Sequence, residues 1–302
     1  MKNTVIFIVG PTSSGKSAVA AALAERVGGE VISCDSMQVY RDMDVLTRAP
    51  GEEMLARVRH HLVKVLAPEE EYSAARFAEE SASLIECVLA EGKIPVVTGG
   101  TGLYMKSLVD GIFPSPPKDE ELRKNLRELA VQKGNEYLYE RLGEIDPETA
   151  AKLHPNDTKR IIRALEVYEL TGRTICEKKR TTEGISSKYD CRIFGLEIPR
   201  GMLNRRIGLS VDRMFEKGLV EEVERLKERN LSLTAGKALG IKEISAYLDG
   251  RISMKEASEE LKKNTRQYAK RQLTWFRGDE RIIWIDATRD VAEIVNDIAG
   301  RI

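Results

Sequence analysis

The chain has 302 residues, 42% hydrophobic and 32% charged, enough to bury one large core or two smaller ones. Its 48 basic residues balance 48 acidic ones, so net charge names no polyanion partner, although a mean of zero can hide local stripes. Cys34, Cys87, Cys176 and Cys191 are widely spaced without C-x-x-C, which argues against a zinc site or a disulfide framework. No signal-peptide core precedes the first strand and no apolar run approaches a membrane span, so a cytoplasmic chain without membrane contact is expected.

The run Val5–Val9 reads as a buried parallel strand. It leads into Gly10, Pro11, Thr12, Ser13, Ser14, Gly15, Lys16 and Ser17, which fit the P-loop pattern G-x-x-x-x-G-K-[ST]. An Ala-rich helix over Ala18–Val27 follows. Strand, loop and helix in this order close backbone N–H groups around a phosphate at a helix N-terminus. Lys16 would reach the terminal phosphate and Ser17 would offer its hydroxyl to Mg²⁺. Alone, the motif suggests a nucleotide-binding, ATP-binding NTPase; more generally it predicts binding of a di- or triphosphate.

Glu30–Ser33 reads as a second strand ending at Cys34-Asp35, and Leu62–Leu66 as a third. Tyr72–Glu91 has helical periodicity, with Phe77, Ile85 and Val88 on its apolar face. Ile94–Val97 is a buried strand stopped by Gly99-Gly100, and Leu103–Leu108 starts another helix. Strands alternating with helices predict an α/β fold, a P-loop NTPase-like parallel sheet flanked by helices. Ligands bind beyond the carboxyl ends of such strands, so the P-loop, Asp35 and Gly99-Gly100-Thr101-Gly102 share one rim.

At Pro114-Ser-Pro-Pro117 the character changes. Lys118 to Thr171 reads as helices only, including Asp119–Lys133 and a pair within Pro147–Tyr168, and Gly172–Lys188 as more loop than element. Residues 115–188 are therefore expected to form an all-helical insertion in a core of 1–114 and 189–302. Strand character returns at Cys191–Ile198. Helical patterns then cover Leu203–Arg229, Ile241–Leu248 and Met254–Arg277, before a last strand at Ile282–Ile285 and a last helix at Val291–Ile298.

Several residues on this frame invite chemistry. Asp35 could hold Mg²⁺, take a proton, or cap the next segment. The strand ending in Thr98-Gly99-Gly100-Thr101 lacks the carboxylate that P-loop NTPases usually place there, which weighs against ordinary ATP hydrolysis. Its glycines either admit a substrate close to the backbone or only make a tight turn. Asp157 can cap a helix on which Lys159, Arg160 and Arg163 form a basic ridge. Lys262, Lys263, Arg266, Lys270, Arg271 and Arg277 come with no acid among them and with Tyr268, Trp275 and Phe276 interleaved. That pattern suits a nucleic-acid backbone, or else a helix whose aromatics are core and whose cations snorkel. His60-His61 lacks partners for zinc.

Taken together these residues resemble the tRNA dimethylallyltransferases of bacterial type. The matching stretches are Gly-Pro-Thr-Ser-Ser-Gly-Lys-Ser at 10–17, Asp-Ser-Met-Gln-Val-Tyr at 35–40, His-His-Leu at 60–62, Tyr-Ser-Ala-Ala-Arg-Phe at 72–77, Gly-Gly-Thr-Gly-Leu-Tyr at 99–104, His-Pro-Asn-Asp at 154–157, Arg-Ala-Leu-Glu-Val at 163–167 and Tyr-Ala-Lys-Arg-Gln-Leu-Thr-Trp-Phe-Arg at 268–277. A P-loop alone is common, but this ordered set is specific and spans almost the whole chain. The resemblance implies transfer of a dimethylallyl group from dimethylallyl diphosphate to N6 of the adenosine just 3′ of the tRNA anticodon, with Mg²⁺. It implies that residues 10–17 and Arg206 hold the diphosphate, with Mg²⁺ on Ser17. Asp35 matches the family's general base and Thr101 its partner. Asp35, Ser36, Met37, Gln38, Thr101, Arg123, Lys159, Arg160, Ile161, Ile162 and Arg163 match tRNA-contacting positions, with Lys270 and Arg271 on the phosphate backbone. The insertion would help grip the anticodon stem-loop, and a monomer is expected.

The chain departs from the family in places. Lys64 stands where an acid is usual, Met43–Arg48 replaces an Asp-Ile-Gly-Thr-Ala-Lys type of run, Ile241 replaces a Tyr, and Ser210 replaces a second Arg, leaving Arg206 and Arg213 near the diphosphate.

Overall fold

The computed structural model describes residues 3–113, 116 and 119–302. Six strands, β1 (Thr4–Val9), β2 (Glu30–Ser33), β3 (His60–His61), β4 (Pro95–Gly99), β5 (Asp190–Glu197) and β6 (Ile282–Asp286), form one sheet in the order β3-β2-β4-β1-β5-β6. All its pairings are parallel. Parallel neighbours need crossovers, and the intervening helices supply them.

Every residue of β1, β2 and β4 is buried, and β1 reads as a nearly unbroken apolar run, while β2 buries Glu30 and Ser33 with Val31 and Ile32. Period-2 alternation divides β1 between two cores. Val5, Phe7 and Val9 face one, while Ile6 and Ile8 face the other. The second core is closed by Val19, Ala20 and Leu23 of the helix Lys16–Val27 and by Ile294 and Ile298 of the helix Val291–Ala299. The first is closed by the helices Ala74–Ala90 and Gly102–Val109, whose Phe77 and Tyr104 rings stack at 4.6 Å.

The helix Met254–Arg277 also packs on this core. Ser253 and Glu256 start it as a reciprocal cap. It buries Ala257, Leu261, Thr265, Ala269, Gln272 and Phe276, a stripe at helical spacing with two polar members.

The chain divides into two compact units, Met1–Val109 with Ile185–Ile302, and Asp110–Gly184. The second unit is made of the helices Glu120–Lys133, Asn135–Ile145, Pro147–Ala150, Thr158–Thr171 and Ile175–Arg180. Its core is Leu126, Leu138, Leu142, Ile161 and Leu165. Of the proline boundary, Pro114, Ser115 and Pro117 lie outside the described residues, as does Lys118.

Three expectations need correction. Leu62–Leu66 is not a strand: β3 is the two residues before it, and left-handed backbone at Leu62 (φ 58°) and Lys64 (φ 54°) ends the extension. The bend returns instead to the segment after β2, where Lys64 N–H donates to the Gln38 carbonyl at 2.9 Å and Val65 N–H to Val39 at 2.8 Å. The pattern Leu203–Arg229 is two helices, Arg200–Glu216 and Leu219–Lys227, because Gly218 at φ 86° turns the chain between them. Gly172–Lys188 holds the helix Ile175–Arg180 and a 3₁₀ turn at Ile185–Ser187. Among the described residues no helix is long and apolar enough to cross a membrane.

Candidate active site

β1 delivers the chain into the P-loop at the carboxyl edge of the sheet. Gly15 takes a left-handed conformation (φ 98°) as the N-cap of the helix Lys16–Val27, and Ser13 is also left-handed (φ 63°). The turn leaves the Ser13 and Ser14 hydroxyl oxygens buried with no hydrogen-bond partner. Buried polar groups are normally paired, so these two hydroxyls fit a polar ligand seated in the loop. The loop borders a cavity of about 580 Å³, lined also by Asp35, Ser36, Met37, Gln38, Arg48, Ser210, Lys237, Tyr268 and Arg271.

Lys16 points its ammonium into this space, donating a long 3.4 Å contact to the Pro11 carbonyl. Burial pulls its pKa down to about 8, with nearby Asp35 opposing the shift and Arg48 adding to it. An ammonium held this way gains from any anion entering the cavity.

Asp35 lies two residues beyond β2 and is the one carboxylate among the described residues lining the cavity. Its Oδ1 accepts from Met37 N–H at 2.9 Å, the capping role, and leaves Oδ2 for the cavity. Thr101 sits behind it. Thr101 Oγ1 accepts from Ser36 N–H at 3.1 Å, donates to Ser36 Oγ at 3.3 Å, and meets the Tyr268 hydroxyl. Thr101 thus acts on the cavity through Ser36 and Tyr268. Burial and the neighbouring Asp35 charge push the Tyr268 hydroxyl up to about 12, so it stays a neutral donor.

The Gly99-Gly100 turn is a close approach rather than a loose hinge. A Cβ on Gly99 would lie 1.9 Å from the Cys34 carbonyl oxygen, and one on Gly100 would lie 2.1 Å from Gln272 Nε2. Gln272 is 5% exposed and staples two loops together. Its Oε1 accepts from Thr12 N–H at 2.8 Å, while its Nε2 donates to the Gly100 carbonyl at 2.9 Å. Sequence reasoning assigned Gln272 no role. The available signal was an amide on the apolar stripe of the helix Met254–Arg277.

Arg206 lies beside the P-loop, donating to the Ser14 carbonyl at 3.3 Å and to the Ala287 carbonyl at 3.4 Å, while Ser210 one turn on lines the cavity. On the helix Met254–Arg277, Lys262 is tied to Asp212 at 2.8 Å and Arg277 to Glu197 at 2.7 Å. Among the described residues Lys263, Arg266, Lys270 and Arg271 of that run form no ion pair. Arg271 reaches the cavity and lies 5.8 Å from the Tyr268 ring centroid.

The helical unit uses its charges differently. Glu166 is fully buried and accepts from Arg123 through Nε and Nη2, each at 2.8 Å, from Asp119 N–H at 3.0 Å, and from Arg163. Those bonds hold the carboxyl below its usual range against the opposing effect of burial. Ile161 and Ile162 are core residues of this unit, while Lys159 and Arg160 are exposed, with Arg160 3.4 Å from Asp157.

The chain is similar to known proteins over nearly its whole length. The family model described as IPP transferase matches residues 38–279. A "tRNA dimethylallyltransferase" of Geobacter sulfurreducens is 46% identical over 287 residues, 94% of this chain and 92% of that one. A "tRNA dimethylallyltransferase 2" of Geotalea uraniireducens is 46% identical over 98% of this chain and 96% of its own. The crystal structure of the tRNA isopentenylpyrophosphate transferase of Bacillus halodurans superposes with a TM-score of 0.73 at 38% identity, covering 100% of this chain and 97% of that one. A eukaryotic dimethylallyltransferase caught acting on tRNA gives a TM-score of 0.78 at 30% identity, covering 99% of this chain and 77% of the other.

Proposed function

The chain belongs to the IPP transferase family, and we propose that its P-loop cavity is where dimethylallyl diphosphate meets the adenosine that takes its prenyl group. The enzyme is a prenyltransferase that moves a dimethylallyl group to an adenosine of tRNA. The acceptor atom in this reading is N6 of the adenosine 3′ of the anticodon, and the base leaves the loop stack to enter the cavity. A tRNA substrate supports a cytoplasmic location in this reading.

One observation carries the reading: among the described residues a single carboxylate, Asp35, faces a half-buried lysine and a P-loop with orphaned hydroxyls, while β4 ends in Thr98-Gly99. An NTPase needs an acid at that strand end to organise water and metal; a prenyl transfer does not. The allylic C1–O bond breaks and its electrons leave with the diphosphate. P-loop amides and Lys16 receive that charge. The N6–C1 bond forms and the N6 proton passes to Asp35 Oδ2. The lone pair of an adenine amino group is delocalised into the ring, so a base at that position is what the nucleophile requires. Ser36, fixed by Thr101, orients the acceptor.

Ser17 fits Mg²⁺ only together with phosphate oxygens. No group of three or more His, Cys, Asp or Glu among the described residues could hold a metal, and Mg²⁺ is commonly held by one or two protein ligands plus substrate phosphates. Bound there, Mg²⁺ supplies charge neutralisation for the departing diphosphate.

The test is incubation of labelled dimethylallyl diphosphate and Mg²⁺ with unmodified tRNA, and separately with AMP. Label entering tRNA alone, at the adenosine after the anticodon, is the expected result. Label entering AMP alone, or ATP consumption without prenyl transfer, would overturn it.

A further inference from the structure

The segment Met43–Arg48, where the chain departs from the pattern it resembles, is a built feature of the cavity. Its short helix Asp44–Thr47 is anchored by buried Glu222, whose carboxylate accepts from Val45 N–H at 2.9 Å and Leu46 N–H at 2.8 Å. Leu46 and Thr47 are buried against the cavity. The helix ends in Arg48, a non-glycine residue held left-handed (φ 52°). That conformation is disfavoured for an arginine and persists only where the surroundings enforce it.

The Arg48 guanidinium lines the cavity beside Lys16, Asp35 and Tyr268. Its Nη1 is wholly buried and has no hydrogen-bond partner, and among the described residues no carboxylate lies within ion-pairing distance. Burial pulls its pKa below the usual arginine value, and Asp35 only partly offsets this. An arginine cannot shed its proton in a protein, and buried charges are normally paired. Two half-buried cations therefore face one carboxylate in a cavity whose loop is shaped for phosphate.

We infer that Arg48 is a second cationic grip on the diphosphate, its planar fork taking oxygens that the P-loop and Lys16 leave free. The inference rests on the reading that this cavity holds a prenyl diphosphate. Arg48 supplies what Lys16 does not: a charge that persists at every working pH and a forked geometry that matches phosphate oxygens. A residue kept for a ligand rather than for the fold should also be dispensable to the fold, because removing an unpaired buried charge relieves its desolvation.

The experiment is titration of inorganic diphosphate with Mg²⁺ into wild type, Arg48→Met, Arg48→Lys and Lys16→Ala, with a melting temperature for each free protein. Arg48→Met should bind inorganic diphosphate about ten- to a hundredfold more weakly, the worth of charge-assisted hydrogen bonds. Its melting temperature should be unchanged or higher. Arg48→Lys should fall between it and wild type. Wild-type affinity in Arg48→Met, or a lowered melting temperature in both Arg48 variants, would overturn the inference and make Arg48 a structural residue. If Lys16→Ala also binds as wild type, or wild type binds nothing, the diphosphate reading of the cavity fails as well.

Discussion

Replacing Gln272 by methionine tests how the site is held together. The side chain keeps nearly its length and volume, so packing on the helix Met254–Arg277 survives. Two buried backbone groups lose their partners: the Thr12 N–H at 2.8 Å and the Gly100 carbonyl at 2.9 Å. Each unpaired group costs about 1–3 kcal/mol. The loops can shift to admit water, so the lower end applies to each, about 2 kcal/mol together, or roughly thirtyfold in an equilibrium or a rate. The shift separates the P-loop from the Gly100–Thr101 turn, and the loss should fall on kcat/KM for prenyl transfer. Hydrogen exchange gives an independent reading, because the Thr12 amide should lose protection. Transfer within twofold of wild type, together with a Thr12 amide exchanging at the wild-type rate, would refute the staple.

Asp35→Asn keeps the shape of the cap at Met37 and removes the proton acceptor, so transfer should fall by about 10²–10⁴ while tRNA binding stays within about tenfold; single-turnover transfer and filter binding measure the two. Binding of inorganic diphosphate to the free enzyme should weaken as pH rises through about 8, where Lys16 loses its charge; titration calorimetry between pH 6.5 and 9.5 reads this, and a flat profile would exclude Lys16 as the grip. Arg271→Ala should weaken tRNA binding for all sequences alike and lower the salt slope by about one, the value of one phosphate contact. An unchanged slope would return that residue to the solvated face of its helix.

The sheet was legible because its central strands β1 and β4 are buried on both faces. Such strands leave continuous apolar runs, as in Val5–Val9 and Ile94–Val97, and the P-loop spacing fixed which rim bears the site. The breaks were harder to read. One glycine, Gly218, divides a pattern that is helical on both sides of it. Leu62 and Lys64 adopt a backbone that neither residue type advertises. Charge partnerships were hidden because the partners are distant in sequence. Lys262 finds Asp212, and Arg123 finds Glu166, where Arg163 joins from one turn away on the same helix. A basic ridge counted along the chain therefore overstates the free cations. Asp35 was read as a Mg²⁺ ligand, a base or a cap, and one of its oxygens makes the cap at Met37. Gln272 and Arg48 stood in stretches compared with the family but were given no role, because each matters through what it meets across the fold.

The two-residue length of β3 also bears on how the protein behaves among copies of itself. An open sheet edge invites a foreign strand, and β2 pairs outward only at Val31 and Ile32. Beyond that, the left-handed bend at Leu62 and Lys64 turns the ladder groups inward onto the Gln38–Val39 backbone. A second chain approaching this side finds two residues of strand and then none, too little to seed sheet extension. The bend that props the loop carrying Gln38 thus also blunts one margin of the sheet against aggregation. Substitutions that straighten it, such as Lys64→Val, would lengthen the edge and lower the concentration at which the protein stays dispersed.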